Sequence, residues 1–550
     1  PTPFILCLFT FRYFSLLLHY YSYWVSGRKE NMPIEDRSSL FSYSQCRPVV
    51  SPCSNYVVFI HGSKLVIRST KSLERIRTID LSEEFIKVVQ VTWEHKYHGK
   101  STKVGVLVSN QNKVLIFDVE DESVSVSVEE DDVFGIDRFE WLPPGSIPEE
   151  TAYTGCKQIA IYSKCSLLMK VLSLDQKGGK FHVEVEKPLS GIVNRDDGSH
   201  VWFIASSIHG KPHLQQFFNE GSYSRRIIVS ELPTGVMLDN VLLSPSSKWI
   251  LSMGNSLSGV KFQLFLTAGD FLSTGKPLLS YVSDADPFGA TCVVFIDDET
   301  VCFGDHLEQV HILSVPYGFD EVETLVYQPI VENTTVFRQS SDGCKYASRP
   351  SPFSIPYLPD LPMERKGIKL LRCIGGQYIW TITETIPTTL FLWSRSSETR
   401  HPLGIMVTNT KIVEVFTPNS VEPLAIVVSE DSISIWKSQI EPLSFPITLS
   451  SDLVLKGAEI IVMDSNYVQL SLWTSSKHFF TVDVRFAGVK QNIGEHMEQD
   501  ESLMRRGSPA YVDDSTRVVE LAKAVQQNEW AQTTGLQVDD TFQGRAQRLR

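Results

Sequence analysis

The chain has 550 residues, 42% hydrophobic and 11% aromatic, enough for a large core, and a net charge of -13 that does not favour non-specific phosphate binding. Nine cysteines scattered without CxxC spacing exclude a disulfide frame and point to free thiols in a reducing compartment.

Phe4 to Val25 has the length and apolarity of a membrane span, broken by Arg12 and His19. The first methionine is Met32, and composition changes there. Residues 1–31 are therefore expected to be a hydrophobic leader of upstream sequence outside the native protein, with an anchor or signal as the alternative.

From Cys46 onward one theme recurs. A Ser51-Pro52 turn leads to an apolar strand over Tyr56 to Ile60, a tight turn at His61-Gly62, an alternating strand with Leu65 and Ile67, and a further strand ending at Leu81. The second copy has Val89 to Trp93, Val104 to Val108 and Val114 to Asp118. The third has Ile136 to Trp141, Gln158 to Ile161 and Leu167 to Leu174. The fourth spans Gly191 to Phe218, with Asp197-Gly198 as the turn before Val201 to Ile204. The fifth has Asn240 to Pro245, Trp249 to Leu251 and Phe262 to Leu266. The sixth has Ala290 to Phe295, Val301 to Phe303 and Val310 to Val315.

A Pro-rich stretch, Arg349 to Met363, reads as a loop or linker. The seventh copy, Ile368 to Ile374 followed by Gly376 to Ser394, is the most complete. Tyr378 to Ile382 and Leu390 to Trp393 flank a polar bend at Glu384 to Pro387, and Pro387, which lacks an N–H, belongs in the connection. The eighth has Ile412 to Phe416, Leu424 to Val428 and Ile433 to Trp436. The ninth has Ala458 to Met463, Val468 to Trp473 and Phe479 to Val484.

Repeats spaced by roughly 40 to 60 residues, with almost no helical period, predict an all-β chain folded as a WD40-type β-propeller over residues 32–487. The WD dipeptide is degenerate: Trp393-Ser394 and Trp436-Lys437 stand in its place. One enlarged ring is favoured, with two incomplete propellers as the alternative. Residues 488–550 turn polar and read as a largely disordered tail with a short helix over about 515–531. Val518, Leu521, Val525 and Trp530 fall on one side of it, and with Phe542 they are the candidate partner-binding residues. Packing on the propeller's flank and docking on a partner are both open for that helix.

No phosphate-cradling glycine loop, nucleophile elbow or zincin helix appears, so no catalytic, cofactor or metal residues are assigned. His95 and His98, and His209 and His213, lie in segments that read as solvated loops, and Pro212 breaks the helical spacing of a metal pair. Cys292 and Cys302 read as buried, unreactive thiols. The acidic runs Glu120 to Glu122 and Glu129 to Asp132 read as solvated loops, with attraction of a basic partner as the second reading. Asn333-Thr334-Thr335 is a glycosylation sequon, without meaning in a cytosolic chain.

The seventh unit resembles that of the WD repeat-containing protein 8 family of centrosomes and spindle pole bodies. Ile386-Pro387 and Leu392-Trp393 match its Ile-Pro bend and V-W-V-W-D strand, and Ser394 departs from its aspartate. Lys345-Tyr346-Ala347-Ser348 and the prolines after it look like the loop preceding that unit, and Cys46, Ser51-Pro52, Tyr56 and Leu65 to Arg68 are similar in order and spacing. The resemblance covers about residues 40–487. It implies a non-enzymatic scaffold joining a microtubule-anchoring adaptor to a kinesin-14-type motor, with no cofactor, small molecule or direct nucleic acid, in the cytoplasm and cytoskeleton. A propeller like eukaryotic initiation factor 2A is the alternative. It would be expected to carry a basic C-terminal region for RNA, and here the final run offers only Arg545, Arg548 and Arg550. A channel enzyme would need convergent carboxylates or histidines from several blades, and a membrane-anchored propeller depends on residues 1–31.

Overall fold

The computed structural model describes residues 34–486 except for short connecting stretches, the longest being 143–157, 268–277 and 357–366. The leader, the tail helix and its candidate residues Val518, Leu521, Val525, Trp530 and Phe542 lie outside the described residues. Among the described residues no helix is long and apolar enough to cross a membrane, and the helical content is one 3-10 turn, Ser109–Gln111.

Local alternation explains how each unit packs. In Tyr56–His61 and Lys64–Ser69, Val58, Ile60, Leu65 and Ile67 point to one side, into a core shared with the second unit. Val57 and Phe59 point to the other side, into a core shared with the last unit. Both faces of the sheet are covered, so these strands read as nearly continuous apolar runs. The tight turn is as expected: His61 pairs with Lys64 across Gly62, whose φ of +62° suits the residue without a Cβ.

Nine such sheets follow in sequence order among the described residues, each built from consecutive antiparallel strands with the first strand innermost. Blade 1 holds Val49–Val50 to Arg75–Asp80, blade 2 Val88–Trp93 to Ser125–Glu129, and blade 3 Arg138–Trp141 to Gly178–Glu186. Blade 4 holds Pro188–Asn194 to Tyr223–Glu231, blade 5 Leu238–Leu243 to Leu279–Ser283, and blade 6 Ala290–Asp297 to Asp320–Val326. Blade 7 runs from Ile368–Ile374 to Gly404–Val407 and blade 8 from Ile412–Phe416 to Leu443–Pro446. Blade 9 joins Leu455–Asp464, Tyr467–Thr474 and His478–Arg485 to the N-terminal strand Ile34–Arg37.

Buried cores link every blade to the next. They run from blade 1 through blade 5, across Phe262 and Phe303 at 5.2 Å between blades 5 and 6, and on through blades 7, 8 and 9. Val50, Val57, Phe59, Ile461 and Phe479 then join blade 9 to blade 1. The circuit closes once, so the fold is one nine-bladed propeller and the alternative of two incomplete rings is excluded.

Four local expectations change. The segment read as the loop before the seventh unit is a hairpin, Thr335–Gln339 with Tyr346–Arg349, added to the outer edge of blade 7 by parallel pairing that runs from Thr335 with Gly404 to Arg338 with Val407. Phe337 and Tyr346 anchor it in the core between blades 7 and 8. Part of the Pro-rich stretch is likewise ordered, since Phe353–Ser354 pairs with Ile330–Val331.

The acidic run is not simply solvated: Glu129 ends a strand and meets Lys113 at 2.7 Å, and Glu130 reaches Lys170 of blade 3 at 2.8 Å. His213 lies in the strand Lys211–Glu220 opposite Ser206, not in a loop. His95 Nε2 lies 3.0 Å from the Trp141 carbonyl, while His98 and His209 are outside the described residues.

At the seam, Val50 N donates to Glu459 Oε2 at 3.0 Å. Burial pushes the Glu459 carboxyl above its ordinary range, against the opposing pull of that hydrogen bond and of Arg47. A raised folded-state value means that the stabilising contribution is full below the unfolded pKa and lost as pH rises through the folded one. Glu459→Gln keeps a carbonyl acceptor for Val50 N and removes the charge. It should melt about 1–3 °C higher than the parent at pH 7.5, and the gap should close below about pH 4. Melting curves across that range check both the sign and the window.

Candidate functional site

The innermost strand of each blade ends its sheet, so its backbone has a ladder partner on one side only. Side chains from the adjacent blade satisfy several of those open groups. Trp93 Nε1 donates to the Val49 carbonyl at 3.0 Å, and Trp141 Nε1 to Thr92 O at 3.4 Å. Gln90 and the Phe139 backbone exchange two hydrogen bonds, at 2.7 and 3.1 Å. Ile192 N donates to Glu140 Oε2, and Thr291 Oγ1 donates to Ile368 O, both at 3.0 Å. Blades 1 to 4 are thereby tied in succession at the channel wall, and blade 6 is tied to blade 7.

Between blades 5 and 8 the channel wall widens into a cavity of about 530 Å³. Its walls are apolar, with Leu243, Val294 and Leu371, and its charged groups are Lys369, Arg372 and Glu414. Lys369 Nζ donates to the Ile412 carbonyl at 2.9 Å. Burial, and then the neighbouring Lys411, push its ammonium pKa down, while Glu384, Glu414 and Glu430 pull the other way. An apolar hollow with a few charged tips is the kind of site that holds a small ligand.

Burial pushes the Cys292 thiol up to about 11, and Cys302, fully buried behind it, is also shifted upward by burial. The thiolate is the reactive form, so burial disfavours reaction at either sulfur. Cys302 is buried as the sequence reading expected, while Cys292 is half-buried. Among the described residues no cluster of three or more histidine, cysteine or carboxylate side chains is arranged to hold a metal.

The seventh-unit hairpin has the predicted form, with Tyr378–Thr383 paired to Thr389–Ser394 and Pro387 in the connection. Its bend is less polar than it reads. Ile386 is buried, and Glu308 of blade 6 accepts from Thr385 N at 3.2 Å and from Thr385 Oγ1. Trp393 and Trp436 close the third strands of blades 7 and 8, where the dipeptide was expected. Trp393 Nε1 donates to Thr381 Oγ1 at 2.8 Å inside the blade. Sequence reasoning did not single out Lys369, Arg372 or Glu414. The available signal was a charged residue interrupting the apolar first strands IKLLRCI and IVEVF.

No family model and no curated protein matches the chain. Solved structures similar to it include Saccharomyces cerevisiae Sqt1, at 7% identity over 83% of this chain and 100% of that one, with a TM-score of 0.41. The Dos1 propeller is similar at 10% identity over 82% and 94%, with a TM-score of 0.40. The β-propeller domain of Myceliophteria thermophila Swd1 is similar at 12% identity over 53% and 90%, with a TM-score of 0.31. The fold assignment rests on the sheet order and the blade-to-blade cores, not on these likenesses.

Proposed function

We propose that the chain is a non-enzymatic WD40-type scaffold of the spindle pole body or centrosome, bridging a microtubule-anchoring adaptor and a kinesin-14-type motor in spindle organisation. The observation that carries this reading is the seventh unit, where Ile386-Pro387 and Leu392-Trp393 form the bend and third strand of a propeller blade in the order the resemblance requires. The closed ring supports it in general terms, because loops on a rigid frame make good binding surfaces. The net charge of -13 favours attachment to the acidic microtubule lattice through adaptors over direct docking.

The test is a tagged protein imaged through mitosis, with its partners purified and identified. Foci at the spindle poles with an adaptor and a minus-end motor in the eluate are expected. Diffuse signal with co-purifying ribosomal subunits would overturn the reading in favour of an initiation-factor-like propeller.

A further inference from the structure

The first strand of blade 7, Ile368–Ile374, buries Ile368, Leu371 and Ile374, and its lysine, Lys369, is half-buried. From such a position a lysine stem is long enough to carry the ammonium out to water. Lys369 does not use it so. Its Nζ donates to the Ile412 carbonyl of blade 8 at 2.9 Å, and both residues stand in the wall of the 530 Å³ cavity between blades 5 and 8. The amine is therefore pinned to a largely apolar wall.

That placement favours the neutral amine. Burial is the largest influence pushing the Lys369 pKa down and the neighbouring Lys411 adds to it, while Glu384, Glu414 and Glu430 oppose both without overcoming them. Glu430 is also drawn to Lys456, at 3.9 Å. A lysine with a weakened preference for charge more readily offers its lone pair to a carbonyl carbon, and an apolar surrounding is a usual way to produce one. Lys411 is the natural comparison, since it is exposed and adjoins Ile412 in the chain.

The cavity limits what can reach the amine. Leu243, Val294 and Leu371 favour an apolar body. Arg372 and Glu414, the other charged groups of the wall, have opposite signs, so neither an anion nor a cation is selected overall. The volume is several times the roughly 150 Å³ that admits benzene to an apolar core, so a ring-sized molecule fits.

We propose that Lys369 is a carbonyl-capturing lysine, and that the cavity takes a small uncharged aldehyde with an apolar or aromatic body and holds it as an imine. The amine nitrogen attacks the carbonyl carbon, the carbon–nitrogen bond forms, and the carbonyl oxygen leaves as water with the two amine hydrogens. Hydrolysis reverses the step. This goes beyond the scaffold reading and does not depend on it, because it concerns the channel wall and not a protein partner.

The test treats the full chain with benzaldehyde and sodium cyanoborohydride, which reduces the imine to a stable benzylamine, and maps the benzylated lysines by mass spectrometry. At pH 7 Lys369 should be labelled at least about tenfold faster than Lys411. That lead should shrink as pH approaches about 10, where ordinary lysines also lose their charge. Benzyl alcohol, which has the ring and no carbonyl, should slow labelling at Lys369 and leave Lys411 unchanged. Lys369→Arg keeps a cationic donor for the Ile412 carbonyl and removes the nucleophile, so it should melt with the parent and lose the fast phase of benzylation. Labelling of Lys369 no faster than Lys411, a lead that does not change with pH, absence of protection by benzyl alcohol, or a fast phase that persists in Lys369→Arg would each overturn the proposal. If Lys369→Arg folds poorly, the comparison with Lys411 within the parent chain still decides.

Discussion

Deleting residues 34–42 should lower the melting midpoint by about 10 °C or more and broaden the transition, because it unlatches the ring. Ile34–Arg37 pairs with the final strand His478–Arg485, matching Ile34 to Val484 and Arg37 to Val482, and Phe41–Ser42 pairs with Phe479 and His478. Ser38 N donates to the Thr481 carbonyl at 3.1 Å and Thr481 N donates to Ser38 Oγ at 2.9 Å. Phe41 lies 5.3 Å from the fully buried Phe479, and the Arg68 guanidinium of blade 1 covers Phe41 at 4.4 Å.

The first and last described strands therefore meet in blade 9, and without the first its last strand becomes an open edge. Differential scanning calorimetry of the truncated and full chains checks this. Midpoints within about 2 °C of each other would show that the latch contributes little.

Trp436→Ala should cost about 3–5 kcal/mol, the range for emptying a large aromatic from a core. Trp436 is fully buried between blades 7 and 8, edge-on to Trp380 at 4.9 Å and to Phe337 at 6.3 Å. Gly404 makes room for it, since a Cβ there would stand 2.9 Å from Trp436 Cζ2. Its indole N–H has no partner, so Trp436→Phe should recover most of the loss.

Trp393 makes the informative contrast. Its N–H satisfies Thr381, so Trp393→Phe leaves a buried hydroxyl without its donor, at about 1–3 kcal/mol. Urea unfolding should rank the destabilisation as Trp436→Ala, then Trp393→Phe, then Trp436→Phe. A Trp436→Phe variant as unstable as Trp436→Ala would mean that the space left by the indole's second ring, and not the loss of an aromatic side chain as such, sets the cost.

The central strands of a blade were legible where both sides are buried, as in Leu424–Ser429 and Ser432–Lys437, where nearly every residue is inside. Of the outer strands only that of the first unit, ending at Leu81, was read. RIRTID alternates between half-buried and exposed positions and SVSVE between buried and exposed ones, so neither gives an unbroken apolar signal. The added hairpin of blade 7 was missed for a related reason: it has few core residues, Phe337 and Tyr346 chief among them, and its pairing to Gly404–Val407 is parallel and distant in sequence.

The candidate site divides in the same way. Lys369, Arg372 and Glu414 are single charges in apolar runs and become a cavity wall only when four blades converge.

By itself the sequence determined the repeating unit, because strand burial, turn residues and the length of an apolar run are local properties written within about ten residues of each other. Only the tertiary structure decided that nine units close into one circle, that Ile34–Arg37 completes the last of them, and which charges meet in one cavity wall. Those outcomes depend on how blades stack and on contacts between the two ends of the chain, and neither leaves a periodic trace in the residues that make them.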